Sequence, residues 1–242
     1  MTTLRLVLPE ALDGLAADDA DAMRSRRDLQ RVHRAMGTRA IVRRALCEMQ
    51  VARRSSAPLR ILELGAGDGR LMLSVARSLP AGWPPVALTL LDRQPLVLPS
   101  TRDAFASLRW SATPRVVDVL DWAARPPDAP PPWDLIVANL FLHHFEGPQL
   151  ASLLAAIAGH GQRLLAVEPR RSALALAGSH LIGALGVNAV TRADAVLSVR
   201  AGFRDHELTA LWPADAAPWR LREGAAGLFS HLFSAVRAGA DG

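Results

Sequence analysis

The clearest chemical signal in the sequence is a glycine-rich turn that directly follows an apolar run. The run is ILEL at residues 61–64, and the turn is GAGDGR at residues 65–70. Gly65, Gly67 and Gly69 allow a sharp change of chain direction and a close approach of backbone to ligand, which side chains would block. We therefore expect a small molecule to rest on this turn.

The spacing of the turn disfavours two common phosphate-binding motifs. The dinucleotide fingerprint G-x-G-x-x-G requires its third glycine where this chain has Arg70. A P-loop ends in Gly-Lys-Ser or Gly-Lys-Thr, and all 28 basic residues of this chain are arginines. The lack of lysine also excludes every mechanism that requires a catalytic lysine.

Polar residues follow three further apolar runs of strand length. Asp92 follows residues 86–91, Asp118 and Asp121 lie at the end of the run at residues 115–119, and Asn139 follows residues 134–138. Ligands of open parallel sheets bind at the carboxyl ends of the strands, where a carboxylate can accept hydrogen bonds from both hydroxyls of a ribose. The polar residues thus predict a nucleoside site at one edge of a sheet.

The glycine turn and these strand ends, taken in order, resemble the class I S-adenosylmethionine-dependent methyltransferases over roughly residues 59–170. The resemblance implies a Rossmann-like fold and S-adenosylmethionine as the cofactor. It places the glycine turn under the methionine end of the cofactor, Asp92 on the ribose and the segment after Asn139 beneath the sulfonium. Asp118 is favoured over Asp121 beside the adenine amino group, and Glu63 either contacts the methionine amino group through water or orients the turn. The cofactor-binding residues so implied are Glu63, Gly65, Ala66, Gly67, Asp68, Gly69, Asp92, Arg93, Asp118, Val119, Asn139 and Leu140.

Two adjacent histidines are the candidate bases. A sulfonium is already activated, so methyl transfer mainly needs alignment of nucleophile, methyl carbon and sulfur, but a hydroxyl acceptor still gains from losing its proton. His143 and His144 stand just beyond the fourth strand, and only one of them easily faces a pocket there. The alternative is that one of them caps backbone carbonyls. His33 and His180 are further candidates, although a lone histidine on an apolar helix face is more often a core residue.

Elimination narrows the acceptor. Asn139 lacks the Pro-Pro-aromatic sequence of enzymes that methylate nucleobase amino groups, Cys47 is misplaced for cytosine C5 methylation, and no lysine is present for the ribose 2′-O type. Asn139 has no acidic companion for a catechol-type metal site, so no metal is expected. What remains is metal-independent methylation of a small molecule, favouring O-methylation of a phenolic, polyketide-type or quinone-type metabolite in secondary metabolism. C-methylation of an electron-rich aromatic ring is the near alternative.

The arginine-rich N-terminal region leaves two other functions open. Residues 24–54 contain ten arginines against Asp28 and Glu48. Their spacing predicts two amphipathic helices, whose charged faces could hold RNA phosphates and make the protein an RNA methyltransferase. Such a charge run is usually a solvated helix face. A cofactor-binding module without catalysis is the third possibility.

The remaining sequence predicts an α/β domain built on a doubly wound, mostly parallel sheet with antiparallel last strands. Residues 1–55 are expected to form an N-terminal helical cap and residues 56–242 the methyltransferase domain. The predicted parallel strands are residues 59–64, 86–91, 115–119, 134–138 and 164–167. The predicted antiparallel edge strands are residues 195–199, 208–212 and 219–221. A helix is predicted to end over residues 105–110, and the uncharged stretch 172–191 reads as a buried, close-packed helix rather than a membrane span.

The amino-acid composition indicates the class of protein and its expected compartment. The 242 residues are 50% hydrophobic and 21% charged with a net charge of +5, which is typical of a folded globular chain. A single cysteine, Cys47, permits no internal disulfide and favours a reducing cytoplasm. The acidic N-terminus does not resemble a signal peptide. The expected partner is a small-molecule substrate, without nucleic acid or stable membrane insertion, and a homodimer is left open.

Overall fold

The computed structural model describes residues 4–49, 57–126, 132–213 and 218–240. Within these ranges, seven strands form one sheet: β1 Leu59–Leu64, β2 Val86–Asp92, β3 Trp110–Val116, β4 Leu135–Asn139, β5 Arg163–Pro169, β6 Trp219–Ala226 and β7 Ser230–Arg237. The strand order is 3-2-1-4-5-7-6; β1 to β5 are parallel, and β7 runs antiparallel to both of its neighbours. The predicted doubly wound, mostly parallel sheet with antiparallel last strands is therefore confirmed.

The helices of the described residues lie on both faces of the sheet and across one of its edges. They are α1 Ala11–Gly14, α2 Ala20–Met36, α3 Thr38–Glu48, α4 Arg70–Ala76, α5 Pro99–Ala106, α6 Val119–Ala123, α7 Gly147–His160, α8 Ala173–Leu181, α9 Ala189–Ala201 and α10 Glu207–Leu211. Single 3₁₀ turns cover Leu142–His144 and Ile182–Leu185.

The core consists of two apolar layers, one on each face of the sheet. Successive side chains of a strand point to opposite faces, so Ile61 of β1 packs with α3 and α4 while Leu62 packs with α7. Both are fully buried. This two-sided burial explains why β1 is an almost continuous apolar run, and it fixes the carboxyl end of β1 firmly in place.

The two predicted N-terminal helices are present as α2 and α3, joined at Gly37 in the left-handed conformation (φ +69°). Asp19 caps α2 by accepting hydrogen bonds from the backbone N–H groups of Asp21 and Ala22. The buried face of α3 contributes Val42 and Leu46 to the core of the sheet. Arg53, Arg54 and the predicted boundary at residues 55/56 lie outside the described residues, so the division into cap and domain stays a prediction.

Two strands predicted near the C-terminus are wrong. Residues 195–199 belong to α9, and residues 208–212 belong largely to α10. The start of α9 is set by Asn188, whose side chain accepts from Thr191 N, and the start of α10 by the Glu223 carboxylate, which accepts from the backbone of Leu208 and Thr209. The Glu223 contact comes from a distant strand and has no local signature. The antiparallel edge is formed instead by β6 and β7, and β6 contains the predicted strand at 219–221.

The third strand was predicted too late in the sequence. It begins at Trp110, where a helix end was expected, and finishes at Val116. Arg109 takes a left-handed conformation (φ +61°) and separates α5 from the strand. Pro114 interrupts the apparent strand pattern, and the structure tolerates it because β3 is an edge strand.

The uncharged stretch at residues 172–191 is not one buried helix. It forms α8 and a 3₁₀ turn, and it continues into the start of α9, while Leu174 and Leu181 are 53% and 72% exposed. The prediction of a single buried helix was wrong because the chain breaks at the 3₁₀ turn, which ends at Gly186 in the left-handed conformation (φ +70°). In the part of the chain that the structure describes, no helix has the length and apolarity needed to cross a bilayer.

Candidate active site

A cavity of about 1130 Å³ opens at the carboxyl ends of β1, β2 and β4. The strand order reverses between β1 and β4, which is where open α/β sheets bind ligands. Its walls come from the glycine turn, α2, α8, α9 and the N-terminal segment, which we define as residues 4–19. All predicted cofactor residues except Gly69 line it, as do both candidate bases.

The glycine turn takes the shape that its sequence predicts. Gly65, Gly67 and Gly69 have φ values of +64°, +55° and +73°, a region that side chains disfavour. A Cβ atom on Gly65 would lie 2.8 Å from Phe141 Cγ and closer still to Cδ2. Gly69 instead lies behind the turn, where it begins α4 and faces Leu90. The turn therefore presents bare backbone to the cavity.

Asp92 connects the second strand to the glycine turn. Its Oδ2 accepts a hydrogen bond from Gly67 N at 2.8 Å, and its Oδ1 accepts from Gln94 N at 2.9 Å. These bonds fix the carboxylate at the cavity wall, and each oxygen retains a lone pair. Arg93 also lines the cavity, but its guanidinium forms an ion pair with Asp13 of the N-terminal segment.

Two buried side-chain oxygens at the cavity have no hydrogen-bond partner: Glu63 Oε2 and Asn139 Oδ1. Burial, assisted by the nearby carboxylates of Asp68 and Asp92, raises the pKa of Glu63 to about 8. Buried polar atoms are nearly always paired, so two orphaned acceptors in one cavity indicate a ligand that supplies donors.

Of the two aspartates after β3, Asp118 lines the cavity and Asp121 does not, in line with the preference for Asp118 stated from the sequence. Asp118 lines the cavity and caps α6 by accepting from Leu120 N at 2.7 Å, and Val119 lies beside it. Asp121 is exposed on α6 and does not line the cavity. The expected contact of Asp118 with a nucleobase stays a prediction.

Glu168, at the end of β5, organises the segment after β4, a role that the sequence analysis missed. Its carboxylate is fully buried and accepts from Phe141 N at 3.1 Å and Leu142 N at 2.9 Å. It also pairs with His143 Nδ1 at 2.8 Å. Leu140, with φ +48°, reverses the chain just before this point. An acidic residue ending an apolar strand was the available signal for this position.

His143 is held between two carboxylates. Besides Glu168, Glu10 Oε1 lies 3.3 Å from its Nε2. Burial opposes protonation, but the hydrogen bonds with Glu10 and Glu168 outweigh it and raise the pKa of His143 to about 9. With both ring nitrogens engaged, His143 is a poor free base in this arrangement.

The other histidines differ in their surroundings. His144 is 23% exposed at its side chain, and its Nδ1 lies 3.2 Å from Asp13 Oδ2. His33 lines the cavity with a buried, unpartnered Nδ1, and burial lowers its pKa to about 4. His180 is exposed and does not line the cavity. The structure thus brings His143, His144 and His33 to the cavity, but not His180.

The N-terminal segment covers the cavity through contacts that are remote in sequence. The Asp194 carboxylate of α9 accepts from Ala11 N and Leu12 N, and Gln94 Nε2 donates to Leu15 O. Arg5 donates to the backbone oxygens of His143 and Phe145. Because these partners lie far apart in the chain, no local pattern could have identified Glu10 and Asp13 as cavity residues.

Comparisons with known proteins show which domain and which fold this chain is similar to. Residues 62–166 match the family described as a methyltransferase domain, and no curated protein sequence matches the chain significantly. The fold is similar to that of the plantazolicin methyltransferase BpumL in complex with SAH, with 14% identity, 91% of each chain covered and a TM-score of 0.60. It is also similar to magnesium protoporphyrin IX methyltransferase (ChlM) from Synechocystis PCC 6803 with bound SAH. That structure is 15% identical, the match covers 94% of this chain and 91% of that chain, and the TM-score is 0.51.

Proposed function

We propose that this chain, whose residues 62–166 match the family described as a methyltransferase domain, transfers a methyl group from S-adenosylmethionine to a hydroxyl of a small molecule. The observation that carries the proposal is the cavity formed by the left-handed glycine turn and the fixed carboxylate of Asp92. The structures named above that share this fold were solved with SAH, the product of methyl donation.

The unpaired polar atoms of the cavity fit this cofactor. The ammonium group of its methionine end supplies the donors that Glu63 Oε2 and Asn139 Oδ1 lack. The free lone pairs of Asp92 suit the two ribose hydroxyls. When bound, the cofactor supplies an electrophilic methyl group on a sulfonium.

The rest of the cavity has room for a small acceptor with apolar parts. Its volume exceeds the roughly 300 to 1000 Å³ of a pocket for one drug-sized ligand. Phe145, Leu181, Leu185 and Phe229 contribute apolar side chains to the lining of the same cavity. These surroundings support a phenolic, quinone-type or polyketide-type acceptor.

Methylation of a hydroxyl requires a group that removes the hydroxyl proton. The acceptor oxygen forms its bond to the methyl carbon as the carbon–sulfur bond breaks, and the hydroxyl proton must leave. The side chains of Glu10, Asp13 and His144 are grouped beside His143 at the cavity, where they can take that proton, whereas both ring nitrogens of His143 are already engaged. The aligned approach of acceptor and methyl carbon follows from their confinement in one covered cavity.

Binding of S-adenosylhomocysteine at pH 7 is expected to release close to one proton from Glu63. The pKa of Glu63 is raised to about 8 in the ligand-free protein, and a neighbouring ammonium group would lower it. Because binding releases a proton, affinity should increase as pH rises towards 8, while the stability of the ligand-free protein falls over the same range. Calorimetric titrations in buffers of different ionisation enthalpy measure the proton count.

Glu63→Gln is the control for this linkage, because it keeps the shape of the side chain but cannot ionise. It should bind without proton release and about 10- to 100-fold more weakly, the loss of one charge-assisted hydrogen bond. Identical heats in all buffers for the wild-type chain would contradict the assignment of Glu63 to the ammonium end.

An acceptor screen tests the proposed function itself. The purified chain is incubated with S-adenosylmethionine labelled in its methyl group and with panels of phenols, hydroquinones, amines and RNA transcripts. We expect label in an oxygen-bound methyl group of a phenol or hydroquinone, identified by NMR. Label only on carbon, on nitrogen or in RNA would contradict O-methylation of a small molecule.

A further inference from the structure

Three side chains at the cavity are of the types that bind metal ions and lie close enough together to share one ion. They lie in the part of the cavity lined by Glu10, Asp13, His143 and His144, which we call the acceptor space. Glu10, His143 and His144 each place one potential ligand atom within 4.8 Å of the other two. Two imidazoles and one carboxylate form a donor set that zinc and similar divalent transition ions use in catalytic sites. Magnesium and calcium prefer oxygen donors alone, so the two histidines favour a transition ion.

The surroundings of His143 strengthen this interpretation. Its Nδ1 pairs with Glu168 Oε2 at 2.8 Å, which leaves Nε2 directed at Glu10. Glu168 is itself fixed by the backbone N–H groups of Phe141 and Leu142. A histidine ligand usually donates its second ring N–H to such a carboxylate, which sets the orientation of the ring.

The cluster also has an open side. All three side chains line the cavity, and His144 remains partly exposed. Asp13 Oδ2, 3.2 Å from His144 Nδ1, adds a second carboxylate beside them. Catalytic metal sites use three protein ligands and keep a position for water or substrate, and an ion held by these three side chains would lie at the cavity, where such a position would be accessible.

We propose that Glu10, His143 and His144 bind a divalent transition-metal ion, of which Zn²⁺ is the representative, at the acceptor end of the cavity. This inference rests on the proposed function and deepens it. An acceptor hydroxyl coordinated to the ion forms a metal–oxygen bond and releases its proton to water, so no free imidazole base is required. From the sequence no metal was predicted because Asn139 has no acidic companion beside it, whereas Glu10 comes from the distant N-terminal segment.

Cobalt provides a direct probe of the site. The wild-type chain, freed of metal by a chelator, is titrated with Co²⁺ alone and followed by its visible absorption. We expect a single saturating equivalent with the intense bands of a four- or five-coordinate ion, displaced by Zn²⁺. Glu10→Gln and His144→Ala should each lower the Co²⁺ affinity by at least about 10- to 100-fold, the loss that even a supporting residue causes.

His180→Ala is the matched control, since this exposed histidine lies outside the cavity and should leave the titration unchanged. Thermal unfolding and S-adenosylhomocysteine binding confirm that each variant is folded. Equal Co²⁺ affinity in the wild-type, Glu10→Gln and His144→Ala proteins would overturn the metal site and leave the cluster as hydrogen-bonded ion pairs. Failure of S-adenosylhomocysteine to bind the wild-type chain would instead contradict the proposed function, and the Co²⁺ spectrum would still report on the metal site.

Discussion

Gly65→Ala is expected to lower the affinity for S-adenosylhomocysteine by roughly 30- to 5000-fold. In the turn conformation that binds the ligand, a non-glycine residue at φ +64° costs about 1 to 2 kcal/mol, and overpacking against the Phe141 ring costs about 1 to 3 kcal/mol more. The ligand-free variant avoids these costs by shifting the turn, so binding has to overcome them. Since Phe141 also lines the cavity, its displacement would narrow the space that the ligand needs. Isothermal titration calorimetry measures the loss.

Substitutions at two further glycines distinguish the cost of the backbone conformation from the cost of overpacking against Phe141. Gly67 has a similar φ of +55°, but a Cβ there meets no atom within 4 Å, so Gly67→Ala should show the backbone cost alone, about 5- to 30-fold. Gly82 lies outside the cavity with open space around it, and Gly82→Ala should bind normally. Wild-type affinity in Gly65→Ala would show that the ligand does not rest on this turn.

Asp92→Ala is expected to weaken binding by about 10²- to 10⁴-fold. The substitution removes two charge-assisted hydrogen bonds to the ribose, each contributing about 1.5 to 3 kcal/mol. It also releases Gly67 N and Gln94 N from the carboxylate that fixes the glycine turn. The lost ribose hydrogen bonds and the released glycine turn both weaken ligand binding. We therefore expect both effects to appear in the dissociation constant for S-adenosylhomocysteine.

Asp103→Ala is the matched control, because Asp103 is exposed on α5 away from the cavity. Its affinity should equal that of the wild-type chain. A competition assay with adenosine distinguishes the contributions further, since adenosine retains the ribose but lacks the methionine end. If Asp92→Ala weakened S-adenosylhomocysteine binding but left adenosine binding intact, the assignment of Asp92 to the ribose would be wrong.

The glycine turn and its neighbouring strands were predictable because their signals are local. β1 was located to the residue, and the polar ends of β2 and β4 were placed correctly, since buried parallel strands are apolar runs bounded by turns. The left-handed glycines could be identified from type and spacing alone. The cofactor side of the cavity therefore followed from the sequence.

The acceptor side was not predictable in the same way. Glu168 orients His143 from the next strand along the sheet, and Glu10 reaches His143 from 133 residues away. The Glu10 contact depends on how α9 holds the N-terminal segment through Asp194, which is tertiary packing without a sequence period. The sequence thus identified both histidines but not the carboxylates that determine their chemistry.

A crystal structure of the chain grown with S-adenosylhomocysteine tests the central claim most directly. We expect the ribose hydroxyls on Asp92, the ammonium group beside Glu63 and Asn139, and the sulfur near Phe141 in the covered cavity. Density for the ligand at any other place, or a cavity filled by protein side chains in crystals saturated with the ligand, would contradict it.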